Sequence, residues 1–388
     1  MVRNIYQLSY WERVSFFEGY QVAILGSGIV GLSAALHLKA KDPGLRILII
    51  ERGPLPAGAS TRNAGFACFG SMTELLDDLQ RTDDHSVWAL VERRFRGLQR
   101  LRERLGDGHI RYEPLGGYEI FRQDEKQLYQ HCLDAMPEFN RRLRSLTGRS
   151  DTFQIADDRL ASFGFKGINH MILNAAEGQI HTGEMMKGLL KLAREKDIDI
   201  INGLEIQHIR HDRHGVYLTT KDDWDLSFEK VLIATNGFTH RFFPELDVVP
   251  ARNQLLITKP IPGLPFKGSF HYDKGYYYFR NIDGRILLGG GRNLTPEREQ
   301  TDVFGTTSLI RESLLGLLRN VILPQHTIKI DGWWSGILGV GERKSPILEA
   351  IGPNLALAVR LGGMGVAIGT LVGEEGAELL LENKIAAA

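Results

Sequence analysis

Cysteine is scarce in this chain: among 388 residues only Cys68 and Cys132 carry a thiol. Two thiols argue against a disulfide framework and fit a reducing, cytoplasmic compartment. Neither a C-x-x-C nor an H-E-x-x-H spacing occurs, and the 12 histidines are scattered, so no structural or catalytic metal site is expected. An excess of either charge is lacking too, with 47 basic residues against 47 acidic ones. No global field therefore recruits nucleic acid or an anionic membrane. The runs Arg93-Arg94, Arg100 to Arg104 and Arg141 to Arg144 read as solvated helix faces with interspersed acids. Long apolar runs are missing as well: no window offers about 18 uncharged apolar residues, so no bilayer span is expected. Residues 1–20 mix Arg3, Glu12, Arg13 and Glu18 with aromatics and lack the apolar core of a signal peptide. Tyr10-Trp11 and Phe16-Phe17 read as part of a short helix packed on the domain, because the basic face of an interfacial helix is absent.

Glycine, by contrast, is placed with purpose. The apolar run Val22-Ala23-Ile24-Leu25 leads into Gly26-Ser27-Gly28-Ile29-Val30-Gly31, and Leu32 to Leu36 continues at helical period. Gly26 allows a tight turn, Gly28 lets the backbone approach a pyrophosphate, and Gly31 lets the helix pack closely on a sheet. A second apolar strand, Leu45 to Ile50, ends at Glu51. It lies about 20 residues beyond the last glycine, where a carboxylate accepts ribose hydroxyls. Strand, turn, helix, strand and acid together predict a dinucleotide site.

Further on, the pattern predicts a loop over 53–71, helices over Thr73 to Leu79, Ser86 to Leu105 and Gln123 to Leu146, and a strand pair over Ile110 to Arg122 turning at Gly116-Gly117. Thr182 starts another helix. A three-stranded meander follows over Leu204 to Phe228, then the apolar strand Val231 to Ala234. Pro250 to Gly291 is rich in strand residues with a turn at Asp283-Gly284. A helix over Ser308 to Leu318, a strand over Leu355 to Val359, a second glycine turn at 362–369 and a helix over Ile368 to Leu381 complete the chain. Residues 1–80, 171–249 and 331–388 are thus expected to form one discontinuous domain, and residues 81–170 and 250–330 a second.

Four segments resemble the FAD-dependent D-amino-acid oxidase and glycine oxidase family. They are the first fingerprint with Glu51 and Arg52, and the loop Gly58-Ala59-Ser60-Thr61-Arg62-Asn63-Ala64-Gly65-Phe66. Lys230 to Gly237, containing Thr235-Asn236-Gly237, is the third, and Arg360-Leu361-Gly362-Gly363-Met364-Gly365-Val366-Ala367 the fourth. The resemblance implies an α/β plus α+β fold: a Rossmann-like, glutathione-reductase-type FAD-binding domain interleaved with a mixed-sheet substrate domain. It implies that Ser60 to Phe66 wrap the flavin ring, that Ile206 sets its backbone against the adenine, and that Gly336 and the Gly362 turn belong to the flavin site. The implied activity is oxidation of a C–N bond by hydride transfer to flavin N5, the imine then being hydrolysed. Its partners are a small amine or amino acid and oxygen or another electron acceptor. A 2-hydroxy acid, or flavin binding without turnover, remains an alternative reading.

The candidates for the substrate wall are Tyr118, Tyr276, Tyr278, Arg280 and Trp334, and period 2 sets Tyr276, Tyr278 and Arg280 on one strand face. Either face of that strand also reads as plain core. Three departures from the family pattern stand out. The segment Trp334 to Gly341 lacks the arginine that clamps a substrate carboxylate, with Arg343 a few residues on. Ile286-Leu287-Leu288-Gly289 lacks the oxygen-activating lysine, with Lys259 on another strand. The segment Asp331 to Pro346 lacks the flavin-linking cysteine, so FAD is expected to be non-covalent and Cys68 to be a small buried thiol.

Overall fold

Apolar residues on both sides of a strand demand cover on both sides of its sheet, and this decides the first half of the fold. The computed structural model describes residues 8–382; residues 1–7 and 383–388, parts of the first expected domain, lie outside the described residues. Contacts divide the chain into two units. One comprises residues up to Thr61, Gly183–Pro250 and Leu338 onward; the other comprises Arg62–Thr182 and Ala251–Ile337.

In the first unit a six-stranded sheet runs in the order Ile347–Ala350, Leu355–Val359, Lys230–Ile233, Val22–Leu25, Ile47–Glu51, Asp199–Asn202. Its strands pair in parallel except at the first edge. On one face lie the helices Ile29–Lys41 and Gly365–Glu382. They approach so closely that a Cβ at Gly373 would stand 2.4 Å from the Val30 carbonyl oxygen, and the last helix sits so close to the sheet that one at Gly376 would stand 2.8 Å from Ala358 Cβ. The other face is covered by the antiparallel strands Ile206–Asp212, Gly215–Thr220 and Asp225–Phe228. Their Ile206, Val216, Leu218, Leu226 and Phe228 share one buried cluster with Ala23, Leu25, Leu48, Ile50, Val231 and Ile233. The last helix begins at Gly365, three residues before the predicted start at Ile368.

The second unit is built on an eight-stranded mixed sheet ordered Ile330–Val340, Val249–Thr258, Arg285–Gly290, Tyr277–Ile282, Ser269–Tyr272, Gly117–Arg122, Ile168–Asn174, Phe153–Ile155. One face carries an aromatic core, with Tyr118, Phe270 and Phe279 packed against Ile310, Leu314 and Leu318 of the segment that follows Ser308. Phe270 and Phe279 stack at 4.7 Å, a contact worth roughly 0.5–1.5 kcal/mol beyond area burial. Part of the opposite face is covered by the helices Met72–Arg81, Asp84–Leu105 and Lys126–Thr147, whose Leu75, Val91, Cys132 and Phe139 meet Phe121 and Ile172.

Two expectations are corrected. Ile110 to Arg122 is no strand pair: only Gly117–Arg122 is a strand, and its partners are the distant Ile168–Asn174 and Ser269–Tyr272. The short helix near the N-terminus does form, as Tyr10–Phe16 with a Ser9–Glu12 capping box, but it buries none of its residues. Phe17, just beyond it, packs edge-on against Trp224 at 5.8 Å. Among the described residues no helix is long and apolar enough to cross a membrane, and no group of three or more His, Cys, Asp or Glu stands ready to hold a metal.

Candidate active site

The glycine turn after Val22–Leu25 is shaped by contacts that no side chain tolerates. Gly26 sits at φ +104 with its absent Cβ facing the Ala234 carbonyl at 2.8 Å, and a Cβ at Gly31 would lie 2.0 Å from the Gly26 carbonyl oxygen. Gly28 caps the helix Ile29–Lys41 in extended conformation without a side-chain cap. Ile29 N–H donates to Ser60 Oγ at 3.0 Å, which brings the loop of the second motif against the turn. Glu51 is 8% exposed. One of its oxygens accepts from Ser27 N–H (3.1 Å) and Oγ (2.7 Å), the other from Gly53 N–H (2.9 Å). Three donors fix this carboxylate at the strand end, and the oxygen that faces Gly53 keeps a lone pair for a ribose hydroxyl. Arg52 lies over the Phe238 ring at 4.1 Å.

The third and fourth motifs meet. Asn236 adopts φ 46 and its Oδ1 accepts from Leu361 N–H at 3.2 Å. A Cβ at Gly237 would lie 2.3 Å from the Leu338 carbonyl. Gly362, at φ +57, donates its N–H to the Gly339 carbonyl at 2.9 Å, and Gly363, Met364 and Val366 lead into the last helix. Thr235 Oγ1 is 2.9 Å from Thr239 Oγ1. Ile206 opens its strand with its side chain buried in the meander core. These glycines form a cradle that Cβ atoms would fill, and with the helix N-terminus and Glu51 it fits a dinucleotide.

Within the second unit, Arg62 to Phe66 are tied to the sheet. Trp334 Nε1 donates to the Arg62 carbonyl at 3.0 Å, and Arg62 Nη1 donates to the Ser335 carbonyl, also at 3.0 Å. Gly336 follows, with its absent Cβ 3.4 Å from Arg62 Cβ. Asn63 Oδ1 accepts from Gly65 N–H at 2.8 Å and from Thr182 Oγ1 at 2.9 Å. Ala64 and Phe66 then pack with Leu255, Leu287, Tyr278 and Trp334.

Strand register puts Leu255, Gly289, Tyr278, His271 and Glu119 in one row across the sheet, on the face opposite the aromatic core. The Tyr278 ring lies over Gly289, whose Cβ would touch it at 2.5–2.7 Å. Its hydroxyl accepts from Asn253 Nδ2 at 2.9 Å. Phe66 meets the rings of His271 (5.1 Å) and Tyr278 (5.6 Å) edge-on. Asn253 Oδ1 and His271 Nε2 are buried without a hydrogen-bond partner. Burial pushes the Tyr278 phenol up and the His271 imidazole down to about 4, so both are neutral near pH 7.

The structure does not bring all the predicted wall residues together. Tyr118 is 3% exposed and sits on the opposite face, stacked on Phe270 at 5.0 Å with Arg159 at its hydroxyl. Parity decides this: Glu119, its neighbour, faces the row. Tyr276 lies just before the strand rather than in it and is 37% exposed. Arg280 does share the Tyr278 face but is spent: its Nη1 donates to the carbonyls of Ala64 (3.1 Å), Gly65 (2.9 Å) and Ile180 (2.6 Å). Lys259 is exposed and pairs with Asp331 at 3.3 Å, and Arg343 is exposed.

Behind the loop lie acids that the sequence reading overlooked, because nothing in their spacing marks them as buried. Glu177 accepts from the N–H groups of Phe69 (2.8 Å) and Gly70 (3.1 Å), and Glu119 from Ser71 Oγ (3.0 Å), Thr73 N–H (3.1 Å) and the Thr73 hydroxyl. Burial outweighs these donors and raises Glu119 to about 7 and Glu177 to about 8. The Cys68 thiol is likewise raised, by burial and then by Glu177 and Glu74, and stays protonated. A carboxyl raised on folding holds its proton longer in the native state. Its contribution is complete below the ordinary carboxylate range and is lost as pH rises through 7 to 8. Glu177→Gln, which keeps an acceptor oxygen, is therefore expected to flatten the fall in melting temperature between pH 6 and 9. Parallel profiles for variant and parent would contradict this.

The chain is similar to known proteins along most of its length. The model of the family described as FAD dependent oxidoreductase matches residues 21–379. A probable oxidoreductase, OrdL, of Haemophilus influenzae is 22% identical over 387 residues, covering 94% of this chain and 83% of that protein. Glycine oxidase from Bacillus cereus superposes with a TM-score of 0.74 at 19% identity, over 94% of this chain and 98% of the other. L-proline dehydrogenase from P. horikoshii gives 0.73 at 16% identity, over 96% of each.

Proposed function

The chain belongs to the FAD dependent oxidoreductase family, whose model spans residues 21–379, and from that premise we propose that it oxidises a C–N bond of an amine or amino acid. Bound FAD supplies the hydride acceptor. The unit with the six-stranded sheet is the FAD-binding domain in this reading. The N-terminus of Ile29–Lys41 holds the pyrophosphate, Glu51 the ribose, and the Gly362 turn with Gly365–Glu382 the pyrimidine edge. Arg62 to Phe66 hold the ring. FAD is bound without a covalent link, since Cys68 and Cys132 are both buried and burial pushes both thiols up.

The observation that carries the reaction class is the row Leu255, Gly289, Tyr278, His271. It is an apolar wall bearing neutral polar groups, packed against the loop that this reading assigns to the flavin. A neutral amine is the form that gives up hydride, and burial against a dry, apolar wall disfavours its protonated form. The unpartnered Asn253 Oδ1 is an acceptor for an amine N–H, while a 2-hydroxy acid oxidation calls for a base beside the hydroxyl. The test is anaerobic titration of the flavoprotein with N-methyl amino acids, D- and L-amino acids, alkylamines and 2-hydroxy acids. Bleaching of the flavin absorbance by an amine is expected. Bleaching by hydroxy acids alone, or by nothing, would overturn the reading. The rate at which colour returns in air separates oxygen from another electron acceptor.

A further inference from the structure

At one end of the eight-stranded sheet the aromatic core gives way to polar residues. Ile120, Phe270 and Phe279 belong to the core on three neighbouring strands. One step further towards the same end, the same face carries Arg122, Tyr272 and Tyr277. The ladder shifts register between Phe121 and Arg122, a bulge of the kind that re-aims a side chain. The Arg122 guanidinium lies 5.2 Å from the centre of the Tyr272 ring, and the Tyr272 and Tyr277 rings stand 6.0 Å apart. These three residues border a cavity of about 780 Å³, a volume that suits a small organic ligand.

The helix covering this face becomes irregular where it meets the cavity. Ser308–Leu317 passes into a π-helical turn, Leu318–Ile322, a rare form that is frequent at functional sites. Ser313, Gly316, Leu317, Asn320 and Val321 line the cavity and recur at the spacing of one helix face. Packing does not call for the glycine: a Cβ at Gly316 would meet nothing closer than Asn320 Nδ2, at 4.0 Å. Glycine weakens a helix, and what it leaves here is room. Lys166, whose N–H donates to the Val321 carbonyl at 2.9 Å, is a second cation of the lining. Among the described residues neither Arg122 nor Lys166 forms an ion pair. Asp273, the one acid of the lining, already accepts from Asn293 Nδ2 at 3.2 Å. Glu125 stands outside the lining and accepts from the Arg122 backbone N–H at 2.8 Å.

We propose that this cavity is a second ligand site, which takes a phosphate or carboxylate carried on a planar aromatic ring. Arg122 and Lys166 pair with the anion, the guanidinium gripping two oxygens through its planar fork. The ring lies along Tyr272, Leu317 and Val321. Alternation puts Tyr277 and Tyr278 on opposite faces of their strand. The site is therefore across the sheet from the Tyr278 row and independent of the reaction proposed there.

The test is calorimetry on FAD-loaded enzyme with 1-naphthyl phosphate, 1-naphthoate, 1-naphthylmethylamine and inorganic phosphate. Saturable binding of the naphthyl phosphate is expected, and weaker binding of the carboxylate, because two cations favour the dianion. The amine and the ringless phosphate should bind weaker than naphthyl phosphate by about 10-fold or more. Arg122→Gln should raise Kd for naphthyl phosphate about 10-fold or more, and Lys166→Gln by a smaller factor. Gly316→Leu should abolish binding by filling the cavity. Gly316→Ala should keep it and melt no lower than the parent, which separates loss of room from loss of fold. The flavin spectrum should stay unmoved throughout. Equal affinity in parent, Arg122→Gln and Gly316→Leu, tighter binding of the amine, or no binding by any of the four would overturn the site. A flavin perturbation that survives Gly316→Leu would also overturn it, by placing the ligand at the other face. None of these outcomes depends on the amine reading.

Discussion

Gly31→Ala is expected to purify without its flavin. The added methyl would stand 2.0 Å from the Gly26 carbonyl oxygen and 3.2 Å from Ile24 Cγ2. Both neighbours belong to the turn and strand themselves, so the helix Ile29–Lys41 must slide away from the sheet. Relief of such overpacking costs roughly 1–3 kcal/mol, and the displaced helix N-terminus no longer aims its N–H groups at a pyrophosphate. FAD affinity is expected to fall by about 100-fold or more, near 3 kcal/mol. The visible-to-ultraviolet absorbance ratio of the purified protein and titration of apoprotein with FAD measure it. Gly58→Ala is the matched control, because a Cβ there has nothing within 4 Å. Full flavin content in both variants would show that this turn does not hold the cofactor.

The second large effect belongs to Arg280. It is 2% exposed, and its side chain joins the carbonyls of Ala64, Gly65, Ile180 and Asn281. Burial lowers its guanidinium to about 10, still charged at neutral pH. Arg280→Met fills similar space but strips donors from buried carbonyls, each costing about 1–3 kcal/mol when left unpaired. Because the carbonyls share one donor and can relax together, a total loss of about 3–5 kcal/mol is expected in urea unfolding. Gly65, at φ +74 with its absent Cβ 2.5 Å from Arg280 Nη1, should lose its fixed position. Faster proteolysis within residues 62–71 reads that directly. Arg280→Lys restores one donor without the fork and should fall between. A Met variant as stable and as protease-resistant as the parent would refute the pinning role.

How much of this was legible beforehand follows the range of each interaction. The Val22 to Glu51 unit is local: its strand, turn, helix and acid lie within 30 residues, and glycine there is demanded by contacts with the same short segment. The Asp283-Gly284 turn is local in the same way and appears as a hairpin, with φ 48 and +69. The segment Ile110 to Arg122 is different. Its glycine pair imitates a hairpin, but the strand that forms pairs in parallel with Ser269–Tyr272, more than a hundred residues on, and no local pattern announces such a partner.

The tyrosines show the same limit at the level of a face. Alternation fixes that Tyr277 and Tyr278 point to opposite sides of their strand, yet not which side is filled by the Ile310 and Leu314 helix. From the sequence Tyr118 therefore reads like Tyr278, although the two lie on opposite faces of the sheet. Arg280 and Arg292 are alike as letters. Only the carbonyls of Ala64, Gly65 and Ile180, gathered from two distant segments, commit the first, while the second lies against the Tyr276 ring.

By itself, then, the sequence determined the family, the cofactor and the places where backbone must approach a dinucleotide, because those depend on glycines and one acid at short spacing. The tertiary structure decided which strand face is wall and which is core, which arginine is structural, and which acids are buried enough to keep their protons. Each of these is set by what packs against a residue, and those partners come from remote parts of the chain.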